Sequence, residues 1–156
     1  MKKIKSFFVY LSIFLIIVSC SDDDGGSGGF SSAALVGTWD LVAVNVSSAV
    51  DVNGDGSSSK NLLDEEDCIS GSIILRDDTT YQFELSNFNL TPITNNQYAV
   101  QCSGASRATG AWASDGMEIV FQGSSLLGTL QLSNNTMIKV VASELPGIAT
   151  YVYERR

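Results

Sequence analysis

The sequence predicts an all-β domain, an antiparallel up-and-down β-barrel with a β-sandwich as the alternative, and three observations predict it. From residue 36 onward apolar residues recur with period two. Tyr81, Phe83 and Leu85 alternate with Gln82, Glu84 and Ser86, and Met117, Ile119 and Phe121 alternate with Glu118, Val120 and Gln122, as in strands buried on one face. Turn chemistry separates such runs: Asp77-Asp78, Asp115-Gly116 and Asn134-Asn135 tolerate tight or left-handed backbone and read as hairpin turns. No window of a dozen residues carries a helical stripe. Eight or nine short strands joined in succession fit a meander that closes on itself.

The chain opens on a segment that does not belong to this domain. Lys2, Lys3 and Lys5 precede residues 7–18, an apolar run interrupted only by Ser12, after which come Ser19 and Cys20. Twelve residues are too few for a membrane-spanning helix, which needs about 20, but they suit the core of a signal peptide. Ile17-Val18-Ser19-Cys20 resembles a bacterial lipobox. The resemblance implies that residues 1–19 are a lipoprotein signal peptide and that the Cys20 thiol becomes diacylated at the new N-terminus; a secretory peptide cut near Ser19 is the alternative. Acyl chains contribute roughly 0.8 kcal/mol per buried methylene, so the expected partner is a membrane, reached through the lipid anchor. Residues 20–29 carry that anchor and then an acidic Gly/Ser tether with no apolar side chain, which can bury nothing. Its run Asp22-Asp23-Asp24 resembles the export signal of surface-displayed lipoproteins of Bacteroidota, a solvated spacer being the alternative. The implied address is the cell envelope, lipid-anchored to the outer membrane. Residues 30–156 remain for one domain.

Charge and composition narrow the function. The 17 acidic and 9 basic side chains give a net charge of −8, and without Lys2, Lys3 and Lys5 the remaining 6 basic groups against 17 acidic ones give −11. Nucleic acid is not an expected partner, because its binding requires a surplus of Lys and Arg. The chain has no histidine, so Ser-His-Asp and Cys-His catalysis and most zinc chemistry lack their parts. Asp64, Glu65, Glu66 and Asp67 form the densest carboxylate run, outside any apolar strand, and read as a solvated face. No catalytic residue is assigned, and the expectation is a protein that is not an enzyme.

Within the domain, residues 31–36 suit one short helical turn. Strands are expected at 37–46, 69–76, 81–86, 97–102, 108–113, 117–122, 126–132, 137–142 and 149–154. The first strand is apolar on both faces, with Val42, Val44 and Val46 opposite Leu41 and Ala43, so the pattern leaves its inner face open. The expected inward set includes Trp39, Leu75, Tyr81, Phe83, Leu85, Trp112, Ile119, Phe121, Leu130 and Ile138. With Cys20 assigned to lipid, Cys68 and Cys102 are left in a compartment where disulfides persist. One bridge is expected, with two buried free thiols as the alternative. Cys68 precedes one expected strand and Cys102 ends another two strands on, so a plain meander does not by itself bring their Cα atoms within about 7 Å.

The segment Leu35-Val36-Gly37-Thr38-Trp39-Asp40-Leu41-Val42 resembles the opening of lipocalin-like domains, in which Gly-x-Trp starts the first strand after a short helical turn. The whole domain is similar in format to small lipocalin-like lipoproteins of Bacteroidota. The resemblance implies that Trp39, with Gly37, closes the bottom of the barrel, and that Arg155 is the match for the arginine that packs on this ring. The second Gly-x-Trp, Gly110-Ala111-Trp112, reads as a glycine easing a bend beside a core tryptophan.

An eight-stranded barrel is just wide enough to be filled by side chains or to hold one small ligand. The count of aromatics here favours a filled interior. Buried tyrosine hydroxyls, however, need partners and suit a polar mouth, so Tyr81, Phe83, Tyr98, Trp112, Tyr151 and Tyr153 are the candidate ligand-binding set. The expected function is a binding module for a small apolar ligand; the alternative is a structural lipoprotein with a filled core that docks another envelope protein.

The connection at 47–67 is longer than the usual 2 to 5 residues or so of a hairpin loop. Within it, Asp51-Val52-Asn53-Gly54-Asp55-Gly56 resembles the start of a calcium loop, with oxygen ligands at alternate positions and then a glycine for the sharp turn. Asp51, Asn53 and Asp55 side chains and the Ser57 carbonyl would face Ca²⁺. Leu62 occupies the position of the bidentate glutamate, so Asp64 or Glu65 would have to complete the site. An acidic, glycine-rich solvated turn is the alternative.

Overall fold

A computed structural model describes residues 31–93, 97–141 and 147–156 of the chain. The expected signal peptide, Cys20 and the tether lie outside the described residues. Among these, nine strands occur: β1 (Gly37–Val50), β2 (Ser59–Asn61), β3 (Gly71–Leu75), β4 (Thr80–Pro92), β5 (Tyr98–Ser114), β6 (Glu118–Gln122), β7 (Thr129–Ser133), β8 (Thr136–Val140) and β9 (Ile148–Arg155). Strands β1 and β3 to β9 pair antiparallel in chain order, and β9 returns to β1. The result is a closed eight-stranded up-and-down barrel, which leaves the ring without free edges; the sandwich alternative is not adopted. Every ring strand finds both partners within residues 37–155, so the barrel folds without a contribution from the first 30 residues. β2 sits outside the ring, paired to the distal part of β1 through Asn45↔Asn61 and Val50↔Ser59.

One end is closed as the Gly-x-Trp resemblance implies. A 3₁₀ turn, Ser32–Leu35, leads into β1, and the buried Trp39 donates Nε1–H to the Leu35 carbonyl at 2.9 Å. Arg155 lies opposite Trp39 in the β1–β9 register. Its guanidinium donates to the carbonyls of Ala34 and Val36, the latter at 2.6 Å, so it fastens the turn across the base. The β3–β4, β5–β6 and β7–β8 hairpins lie at the same end, on the dipeptides expected to make them. Asn134 adopts φ 53°. The Asp115 carboxylate accepts from the Glu118 and Met117 N–H groups, which holds its carboxyl below the usual range. Asp78 accepts from the Thr80 hydroxyl and N–H, with the same effect.

Three expectations about strands are corrected. Both faces of β1 contribute to the core in turn: Trp39 and Leu41 point inward, a bulge follows between Leu41 and Ala43, and Val44 and Val46 point inward beyond it. An extra residue shifts a period-two pattern by one, which is why its alternation was ambiguous. On β8 the buried residue is Met137 rather than Ile138, because Met137 lies opposite inward-facing Tyr153 and paired residues share a face. Met117 is 72% exposed, since it precedes β6 in the hairpin turn and does not continue the inward series of Ile119 and Phe121.

Residues 97–102 and 108–113 are not two strands but parts of the single 17-residue β5, paired along its length with β4. The polar stretch Ser103-Gly104-Ala105-Ser106 looks like a loop in sequence because this part of the hairpin is exposed. A bulge between Ser86 and Phe88 accommodates it. One strand in place of two also brings the cysteines together. Ser70 and Ser86 bind each other, Ser86 N–H to Ser70 O at 2.8 Å and Ser70 N–H to Ser86 Oγ at 3.1 Å. Cys68, two residues earlier, therefore lies along the β4–β5 hairpin. There it forms the expected disulfide with Cys102, with a Cα–Cα distance of 6.2 Å.

Candidate functional site

The barrel is packed towards its closed end, where Trp39, Leu75, Tyr81, Trp112, Phe121 and Leu130 are all buried. Tyr81 meets Phe121 edge to face with ring centroids 4.9 Å apart, and Trp112 donates Nε1–H to the Arg76 carbonyl at 3.2 Å. Away from this packed half a cleft of about 360 Å³ opens. Its apolar wall is Phe83, Leu85, Phe88 and Leu126, and its polar wall is Lys139, Tyr151 and Tyr153. The phase of β8 and β9 explains why these groups meet. Met137↔Tyr153 and Lys139↔Tyr151 are opposed pairs, so the register that buries Met137 also turns Lys139 inward, one repeat nearer the mouth.

The Lys139 ammonium donates to the Leu126 carbonyl and stands 5.8 Å from the centroid of the Tyr151 ring, within cation–π range. Tyr153 is 1% and Tyr151 7% exposed. Neither phenol makes a hydrogen bond to another described residue. Burial raises the pKa of both, and the neighbouring Tyr151 adds to the rise at Tyr153. Both therefore remain hydrogen-bond donors at neutral pH. Among the described residues lining the cleft, Lys139 alone carries a charge, and no carboxylate is present.

Of the candidate ligand-binding set, Phe83, Tyr151 and Tyr153 line this cleft. Tyr81 and Trp112 belong to the packed half. The Tyr81 hydroxyl is the one buried side-chain polar atom among the described residues without a hydrogen-bond partner. Tyr98 sits half-buried at the start of β5, opposite Pro92 and away from the cleft. Sequence reasoning missed Phe88, Leu126 and Lys139. Phe88 follows a bulge and Leu126 lies in the β6–β7 connection, so neither carries a periodic signal. Lys139 was legible only with the phase of β8 known.

The acidic loop has a defined local geometry. Asp51 accepts from Gly54 N–H at 2.8 Å and from Gly56 N–H at 3.1 Å, Asn53 Oδ1 from Asp55 N–H at 2.9 Å, and Asp55 Oδ1 from Ser57 N–H at 2.7 Å. Gly54 and Gly56 have φ of 75° and 87°, the left-handed conformation a glycine adopts at no steric cost. Of the two carboxylates considered for completing the site, Asp64 turns to Ser59 and Asn61. Glu65, only 6% exposed, reaches back to accept from Val52 N–H at 3.0 Å. As these side chains stand, no group of three or more His, Cys, Asp or Glu among the described residues is arranged to hold a metal. No described helix is long and apolar enough to cross a membrane.

The fold and cleft define a class, a closed all-β barrel packed at one end and open at the other. No protein-family model, curated protein or solved structure matches the chain.

Proposed function

We propose that this chain is a lipid-anchored lipoprotein of the cell envelope, lipocalin-like in form, whose barrel binds a small apolar molecule and carries out no catalysis. The observation that supports binding over a filled core is the cleft of about 360 Å³ between the packed half and the mouth. That volume falls at the lower end of the roughly 300–1,000 Å³ of small-molecule sites. Its walls join aromatic and aliphatic surface to a few polar groups, as such sites do. The lipid anchor rests on the signal-like segment and Cys20, and the non-catalytic reading on the missing histidine and nucleophile motifs. The test is titration of residues 21–156 with the neutral fluorophore N-phenyl-1-naphthylamine. Saturable uptake with defined stoichiometry, reversed by natural lipids or polyphenols, is expected. Absence of saturable uptake would return the protein to the alternative, a structural barrel that docks an envelope partner.

Calcium at the Asp51–Asp55 turn is the finer part of the proposal. Its support is that Glu65 folds back beside the start of the loop, where the sequence spacing lacked a last ligand. Calorimetric titration with Ca²⁺ up to about 5 mM, the range of weak extracellular sites, should show heat that Asp55→Ala removes. No heat in the unsubstituted protein makes the loop a self-bonded turn.

A further inference from the structure

We infer that the barrel selects a small carboxylate amphiphile, with its head held by Tyr151, Tyr153 and Lys139 and its apolar body against Phe83, Leu85, Phe88 and Leu126. This rests on the reading of the cleft as a ligand site and names the chemistry of its occupant.

Three observations carry it. The first is electrostatic: a chain with 17 acidic side chains and 9 basic ones lines this cleft with one cation and, among the described residues, no carboxylate. A random sample of this surface would be negative, so the lining opposes the charge of the molecule around it. The second is the hydrogen-bond inventory. The hydroxyls of Tyr151 and Tyr153 lack partners among the described residues although both side chains are more than nine-tenths buried. A buried phenol normally finds an acceptor. Two phenols kept protonated by burial are donors, and a carboxylate is an acceptor with two oxygens and about four lone-pair sites. The third is geometric. Lys139 faces Tyr151 across β8–β9, and its ammonium is already fixed at the wall by the Leu126 carbonyl. It supplies positive charge beside the two donors, with little rearrangement on binding. A neutral ligand would use the apolar wall and leave this polar group unanswered. An ammonium head would meet Lys139 as a like charge.

The experiment is competition on residues 21–156 preloaded with N-phenyl-1-naphthylamine, using decanoate, decanol and decylamine, three ligands with one tail and different heads. Charge-assisted hydrogen bonds are about twice as strong as neutral ones. Decanoate should therefore displace the fluorophore at about tenfold lower concentration than decanol, with decylamine weakest. In Lys139→Met that preference for decanoate over decanol should vanish, and Tyr153→Phe should reduce it. Equal displacement by all three heads would overturn the inference and leave an apolar ligand site. A decanoate preference that survives both substitutions would overturn its assignment to these residues. If neither fluorophore nor decanoate binds, as read by fluorescence and calorimetry, the ligand-site reading itself fails and the inference falls with it.

Discussion

Replacing Gly110 by alanine should break the barrel where β5 meets β6, and the structure sets the size of the effect. An ideal Cβ built on Gly110 would lie 1.9 Å from the Gln122 carbonyl oxygen, 3.0 Å from its carbon and 3.0 Å from Tyr81 Cε1. Two of these atoms are backbone of the paired strand and cannot swing aside. To reach even a 3.0 Å contact the strands must part by about 1 Å. That separation falls beside Ala111↔Gln122 and Trp112↔Phe121, the second of which is a buried core pair. Overpacking typically costs about 1–3 kcal/mol and occasionally more; with rigid backbone on one side we expect the upper end, about 3 kcal/mol. For a domain of this size each kcal/mol lowers Tm by roughly 3–6 °C, so the expected loss is about 10–15 °C in a circular-dichroism melt of residues 21–156. Gly104→Ala is the control. Gly104 has φ +65° but nothing within 4 Å of its Cβ position, so its cost is backbone strain alone, about 1–2 kcal/mol. A Gly110→Ala protein melting within 3 °C or so of the parent, or no lower than Gly104→Ala, would refute the close-approach argument.

Exchange of both Cys68 and Cys102 for serine opens a loop with a separation of 34 residues. In the chain-entropy model this removes about 4 kcal/mol, read as a lower urea midpoint with native spectra retained; an unchanged midpoint would show that the bridge constrains nothing. Raising the pH should destabilise the domain through its tyrosines. Burial raises the pKa of Tyr81, Tyr151 and Tyr153 in the folded state, so above about pH 10 the unfolded chain releases protons that the folded one retains. The stability from these three groups is complete below that pH and declines as pH rises, by at most about 4 kcal/mol per pH unit when all three titrate in the unfolded chain alone. Tm measured from pH 9 to 12 should fall together with the appearance of tyrosinate absorbance; ionisation of all tyrosines in the still-folded protein would contradict it. Finally, Cys20→Ser should abolish acylation and leave precursor or soluble protein, because the thiol is the acceptor of the diacylglyceryl chain. Equal labelled-palmitate incorporation by the variant would refute the anchor.

What could be read from the residues alone is what depends on a few neighbouring positions. Period-two alternation marked the strands around Tyr81 and Ile119, and Asp115-Gly116 and Asn134-Asn135 marked their turns, because pleating and left-handed backbone are local properties of the chain. Gly37 and Trp39 marked the closed end for the same reason, since the turn that caps it immediately precedes them. Tertiary structure decided whatever depends on pairing between distant segments. The bulge after Leu41 brings both faces of β1 into the core, and the partnership with β4 makes residues 98–114 one strand despite their polar middle. That partnership also brings Cys68 to Cys102. The polar wall of the cleft belongs to the same class: Lys139 faces inward because Met137 pairs with Tyr153, and Phe88 and Leu126 reach the wall by a bulge and a loop. Alternation reports that a strand has two faces, but only closure of β9 on β1 defines which face is inside and how much of the interior the side chains leave empty.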